Sequence, residues 1–218
     1  EEYIEDYLQL HRKVRLTAAG DKKKKNLMND ARLKELNSLA AIELLPHQGL
    51  VSFMDNLAGI KTCFNLTEGD LETSPICTHC DFKPISEKCD IEVDHLLSQM
   101  DARLDTLHSA WIQTLLNNLQ DPTVQQNFEL LKDDQKEVVE TFLSTKSLPE
   151  KVEGVFIETV QQLLSGLFKI PVKIDELQDA LFTDGSPLQP EELEERFHAF
   201  VQDKLSGKEQ RKVRFVLE

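Results

Sequence analysis

All four cysteines of the chain lie between positions 63 and 89: Cys63, Cys77, Cys80 and Cys89. Cys77-Thr78-His79-Cys80 is a C-x-x-C knuckle, a turn whose backbone N–H groups can face thiolate sulfurs that hold a divalent ion. The full spacing is C-x13-C-x2-C-x8-C. Tetrahedral zinc takes four thiolates, or three and a histidine, so this inventory closes a site and leaves no position open for a substrate. The expectation is a structural zinc ion held by Cys63, Cys77, Cys80 and Cys89, with His79 or His95 able to replace Cys89 and His95 held in reserve. His11, His47, His108 and His198 are read as polar residues on helix surfaces. Three other readings of the cysteines stay open: a thioredoxin-like redox pair, which needs a βαβ setting that the sequence does not suggest; disulfides of a secreted domain, for which there is no secretion signal; and four independent buried thiols.

A zinc ion also answers a structural need. Residues 64–89 lack apolar periodicity and carry Pro75, Pro84 and a Thr67-x-x-Asp70 capping signal for a turn or two of helix. A stretch of that length without regular structure is uncommon inside a compact domain unless something ties it down. Joining Cys63, at a helix end, to Cys77, Cys80 and Cys89, just before the next helix, would clamp the two at a fixed angle, and metal binding would then be folding free energy.

The elements that must position the cysteines are helical. Only 8 Gly, 8 Pro and 6% aromatic residues occur in 218, and apolar residues recur at steps of three and four almost throughout. The spacing predicts a helix from residue 2 to Ala19, stopped by Gly20, then one opening at Asp21, running through Lys22–Lys25 and continuing to Leu44-Leu45-Pro46. A short helix carries Leu50, Phe53, Met54 and Leu57. The strongest pattern spans 91–120, where Val93, Leu97, Met100, Leu104, Leu107 and Trp111 form a heptad seam widened by Leu96, Ile112, Leu115, Leu116 and Leu119. Asp121-Pro122 breaks it, and helices are expected at 123–131, 134–145, 149–169, 175–182 and 190–205, with a break at Ile170-Pro171-Val172. The alternating tail Lys212–Leu217 reads as an edge strand or an extended segment. The fold class is therefore mainly α, a multi-helix bundle with a small zinc-bound loop insert and a short C-terminal extended element. Its divisions are 1–62, the N-terminal helices; 63–89, the cysteine-rich zinc loop; 90–169, the long-helix bundle; and 170–218, the C-terminal helices and tail.

Charge narrows the function classes. The formal net charge is −14, and it is uneven: residues 1–62 carry ten basic against nine acidic side chains, leaving 15 against 30 downstream. An acidic field repels phosphate, so tight nucleic-acid binding is not expected, although Lys22–Lys25 could dock an acidic partner or a phosphate. No run approaches a membrane span, and a cytoplasmic protein without membrane contact is expected. The first residue, Glu1, already lies in a helical pattern with Tyr3, Ile4, Tyr7 and Leu8, which suggests a domain cut from a longer polypeptide. No Walker A, G-x-G-x-x-G, H-E-x-x-H or G-x-S-x-G motif occurs, and the acidic pairs read as solvated helix faces, so no enzyme is expected in these residues.

The stretch Asn65-Leu66-Thr67, Leu71 and Pro75–Pro84, preceded by Leu44-Leu45-Pro46 and Cys63, resembles the zinc-knuckle region of the large P-loop ATPase of bacteriophage-exclusion (BREX) systems. The Tyr7-x-x-x-His11 helix and the ending Arg196-Phe197 and Lys212-Val213-Arg214 are similar to that family's C-terminal portion. The resemblance implies that the ATPase site lies upstream of residue 1. It also implies that this segment is a helical, zinc-clamped module of a bacterial antiviral complex, used for assembly with protein partners, the other subunits of the defence complex. The alternative is a zinc hook, in which the C-x-x-C at the tip of a helical hairpin pairs with a second copy of the chain.

Overall fold

The helical period of the sequence is realised along most of the chain in the computed structural model, which describes residues 1–85, 91–165, 167–182, 188–208 and 210–217. The helices are α1 Glu2–Val14, α2 Ala18–Met28, α3 Ala31–Leu39, α4 His47–Gly59, α5 Glu68–Thr73 and α6 Val93–Leu119. After these come α7 Pro122–Phe128, α8 Asp133–Thr145, α9 Val155–Leu164, α10 Ile174–Leu181 and α11 Pro190–Leu205. Two short strands, β1 Phe168–Val172 and β2 Val213–Leu217, pair in parallel with Ile170 opposite Phe215. The protein is thus mainly helical with a small C-terminal sheet. No described helix is long and apolar enough to cross a membrane.

Two compact units interleave in chain order: Glu1–Lys34 with Gly49–His108, and Glu35–Gln48 with Ser109–Glu218. In the first, Leu16, Leu27, Phe53, Leu57, Leu97, Met100 and Leu104 are buried. Gly49 marks a close approach, since a Cβ there would meet Leu107 Cδ1 at 3.2 Å. In the second, Trp111, Leu115, Val139, Phe142, Phe156 and Val160 are buried, with the Phe142 and Phe156 rings edge to face at 5.3 Å. The seam expected on α6 is realised: Val93, Leu97, Met100, Leu104 and Trp111 are all buried, and Leu107 is half-buried.

Several boundaries differ from expectation, each for a local reason. α1 ends at Val14, because Leu16 leaves the helix: its N–H donates to Lys61 O at 3.2 Å and its carbonyl accepts from Cys63 N–H at 3.3 Å. Thr17, not Asp21, then caps α2, its hydroxyl accepting from Gly20 N–H at 3.4 Å. Gly20, expected as a terminator, is buried in the first turn, 3.0 Å from Leu16 Cδ2 when given a Cβ. Because α2 begins earlier, the lysine run sits in its body, where it is largely engaged: Lys23 Nζ bonds Asp94 at 2.8 Å, Lys24 Nζ donates to Ile60 O at 2.8 Å beyond the end of α4, and Lys25 pairs with Asp21 at 2.6 Å. The helix expected over 149–169 is confined to α9, since Gly154 enters it at φ +69° and the chain passes into β1 at Phe168. Ile170-Pro171-Val172, expected as a break, is part of that strand. Pro171 has no N–H to donate, and a strand with one partner leaves an edge where none is needed.

β2 is held by Arg214, whose Nε donates to Asn118 Oδ1 at 2.9 Å and whose Nη2 donates to Asp121 Oδ2 at 2.7 Å. Asp121 also caps α7, accepting from Thr123 N–H at 2.8 Å. Burial works to raise the Asp121 carboxyl, but the Thr123 hydrogen bonds and the Arg214 charge outweigh it and leave the group below the ordinary carboxylate range.

Two outcomes are expected. Leu104→Lys should unfold or severely destabilise the chain, because removing a buried Leu alone costs about 2 to 5 kcal/mol and an ammonium adds desolvation, whereas Asp105→Lys, at a side chain 69% exposed, should be mild. Equal shifts in Tm for the two variants would refute the burial of that helix face. A group whose folded pKa is depressed contributes stability above its unfolded value of about 4 that is lost as pH falls through the folded value. Arg214→Met should therefore cost about 1 to 2 kcal/mol at neutral pH and much less at pH 2 to 3, read by Trp111 fluorescence in urea titrations.

Candidate metal centre

Three segments of the first unit bring their donors to one point. α1 carries His11 on a buried face between Tyr7 and Arg15, one turn apart each. The extended residues after α4 carry Cys63, fixed by its N–H bond to Leu16 O. The knuckle carries Cys77 and Cys80. It is entered from α5, whose start is set by the expected capping box: Thr67 N–H and hydroxyl donate to Asp70 Oδ2 at 2.8 and 2.7 Å.

The knuckle is closed by its own backbone. Asp81 N–H donates to Cys77 O at 2.9 Å and Cys77 N–H to Phe82 O at 3.3 Å. Asp81 takes φ +56°, a left-handed turn that aspartate tolerates better than most residues. This turn throws Phe82 inward. Phe82 is fully buried, its carbonyl accepts from Tyr7 Oη at 2.7 Å, and its ring meets Tyr7 at 5.6 Å and His11 at 5.4 Å, both edge to face. Phe82 thus locks the knuckle against α1 and sets the plane of the His11 imidazole.

His11, Cys63, Cys77 and Cys80 each present one donor atom, and all four atoms lie within 4.8 Å of one another. Cys63 Sγ and Cys77 Sγ are 3.7 Å apart, and Cys80 Sγ is 3.6 Å from His11 Nε2. Around a tetrahedral ion with sulfur at about 2.3 Å and nitrogen at about 2.0 to 2.1 Å, neighbouring sulfurs stand about 3.8 Å apart and sulfur and nitrogen about 3.6 Å. These two pairs match those edges. They do not match a disulfide, whose sulfurs are about 2.05 Å apart, and all three cysteines are free. Nor does the C-x-x-C open a helix, as a redox pair would require; residues 78–80 form a turn.

The electrostatics of the four donors differ. Burial pushes the Cys63 thiol up to about 11. Burial also acts to raise Cys80, but hydrogen bonds from Arg15 and the Phe82 backbone outweigh it and lower the thiol below its ordinary value. Burial, followed by the charges of Arg15 and Arg12, lowers His11, which favours the neutral imidazole that ligates metal. The set fits a soft or borderline divalent cation.

Of the residues singled out in the sequence, Cys63, Cys77 and Cys80 are brought together, and Cys89 lies outside the described residues. His95 is on the exposed side of α6, where its Nε2 lies 3.1 Å from Gln99 Nε2, and His79 turns away from the cluster toward Asp70, 3.8 Å from its carboxylate. Neither joins the donors. His11, expected to be a surface residue, is instead 2% exposed and supplies the imidazole. Sequence reasoning missed it because it lies 52 positions before Cys63; the available signal was the stripe Tyr7, His11, Arg15, which puts polar groups on the face that a helix normally fills with aliphatic residues.

Residues 19–110 match the sixth domain of a family of unknown function, DUF6079. No curated protein and no solved structure matches the chain. The matched stretch contains the three clustered cysteines and leaves His11 outside it.

His11→Ala is expected to lower zinc affinity by more than the ~10 to 100-fold that loss of an outer-shell partner costs. Cys77→Ser should do the same and increase amide exchange over residues 60–85 while sparing α7 to α9, whose apolar faces are buried independently. Zinc competition against a chromophoric chelator measures the first and hydrogen exchange the second. A loss of affinity on Cys89→Ser but not on His11→Ala would return the fourth position to Cys89.

Proposed function

We propose that the chain is a non-catalytic, zinc-stabilised helical module for interaction and assembly. The observation that carries this reading is the set of four donors from one chain, His11, Cys63, Cys77 and Cys80, all within 4.8 Å of one another, with two of the pairs at the spacing of tetrahedral ligands. A closed set suits an ion that holds structure rather than one that activates a substrate. The buried positions of His11, Cys63 and Cys77 agree with that role. An intermolecular zinc hook would need donors from a second copy to complete the ion's shell, and the four donors of one chain speak against it.

The wider setting we propose is the C-terminal, helical portion of a bacteriophage-exclusion ATPase, docking to other protein subunits of the defence complex in the cytoplasm. The support for it is the resemblance of Pro75–Pro84 and the flanking residues to that family's zinc-knuckle region. The acidic charge downstream of residue 62 supports protein rather than nucleic acid as the partner. Lys23, Lys24 and Lys25 also have partners within the chain, at Asp94, the Ile60 carbonyl and Asp21.

Metal content and mass test the reading together. The purified chain should hold one zinc per polypeptide as a monomer, and removing the metal should lower the Tm. Half an equivalent of zinc in a dimer would establish the hook, and four freely titrating thiols with no metal would end the zinc reading. Capture of the parent system's subunits by the zinc-loaded chain but not by Cys77→Ser is the expected result for the docking role.

A further inference from the structure

Arg15 closes α1 one turn after His11, at the point where the chain turns extended toward Leu16. It is 5% exposed. A guanidinium stays charged at any physiological pH, so a buried one must be compensated. Its central carbon lies 4.9 Å from the centroid of the Phe82 ring, the same ring that meets the His11 imidazole edge to face, and its charge bears on two of the donors, lowering both the Cys80 thiol and the His11 imidazole. The cation is therefore held over the aromatic residue that packs on the metal centre.

We infer that Arg15 is the buried counter-ion of the metal centre, a positioning residue whose guanidinium orients Cys80 and neutralises the charge of three thiolates gathered around a divalent cation. The inference rests on the metal-centre reading above. Three thiolates, one neutral imidazole and a dication carry a single net negative charge, and Arg15 cancels it. Protonated thiols without a cation would leave Arg15 facing neutral sulfur, and a four-thiolate shell would leave a negative charge uncancelled. Burial thus has a reason: the guanidinium and the metal–thiolate complex each cost desolvation alone and offset one another when adjacent.

The test uses the whole chain, titrated with zinc against a competing chelator and separately with Co2+, whose thiolate-to-metal absorption reports on the sulfur ligands. Arg15→Met should weaken zinc binding about 10 to 100-fold, the range for losing an outer-shell partner. It should also move the Co2+ charge-transfer band to lower energy, because an N–H donor to sulfur lowers its lone pairs. Arg15→Lys, which keeps the charge, should recover most of the affinity. Leu10→Ala, at an apolar neighbour packed on the same cluster, controls for loosened packing and should leave the band in place. Should Arg15→Met not refold with metal, Arg15→Gln replaces it with the same expected results. An unshifted band with wild-type zinc affinity in the Met or Gln variant, or an equal shift in Leu10→Ala, would overturn the counter-ion role. A wild-type chain that takes up neither zinc nor Co2+ would instead overturn the metal centre itself.

Discussion

Three thiols and an imidazole packed within 4.8 Å of one another, three of the four residues buried, form a set that could hold a divalent cation. Burial raises the Cys63 thiol, whereas at Cys80 burial is outweighed by hydrogen bonding, led by Arg15, which lowers the thiol. A bound dication would favour the thiolate at all three sulfurs together. The segment from Cys63 to Phe82 has little regular structure, one short helix, α5, with no buried residue, and a turn, and is held to α1 through Cys63, Cys77 and Phe82.

The small apolar cluster around the donors shows how the constraint spreads into the fold. Tyr7, Cys63, Cys77 and Phe82 are buried together, with Leu10, Val14, Leu66 and Leu71 packed against them. Phe82 has the central place, since its carbonyl accepts from Tyr7, its ring lies under the Arg15 guanidinium and it meets the His11 ring edge to face. Through these contacts the knuckle fixes α1, and through Leu16, bonded on either side to Lys61 and Cys63, α1 fixes the exit from α4. A loop without apolar periodicity is thereby tied to the helices at both of its described ends, an arrangement that a metal ion at the four donors would reinforce.

How legible this was depends on sequence distance. The knuckle and Cys63 announced themselves through residue type and close spacing, and the α6 seam through an apolar period sustained from Val93 to Trp111. Helix ends set by local chemistry, such as the Thr67-x-x-Asp70 box and Asp121-Pro122, were also readable. What could not be read were features that depend on partners remote in the chain. Gly20 looks like a terminator until Leu16 is drawn out of α1 by a bridge to Thr62. The residues of β1 look like a break until β2 pairs with them from more than 40 positions away. His11 looks like a solvated residue on an amphipathic helix until the knuckle is folded over it.

The central claim is that one chain closes a shell of three sulfurs and one imidazole nitrogen around a divalent ion. X-ray absorption at the zinc edge of the purified, metal-loaded chain tests it most directly, because sulfur and nitrogen shells separate by distance. The account requires three sulfurs at about 2.3 Å and one nitrogen at about 2.0 to 2.1 Å, with the multiple-scattering pattern of an imidazole that disappears in His11→Ala. A shell of four sulfurs, or an imidazole signal that survives His11→Ala, would contradict it.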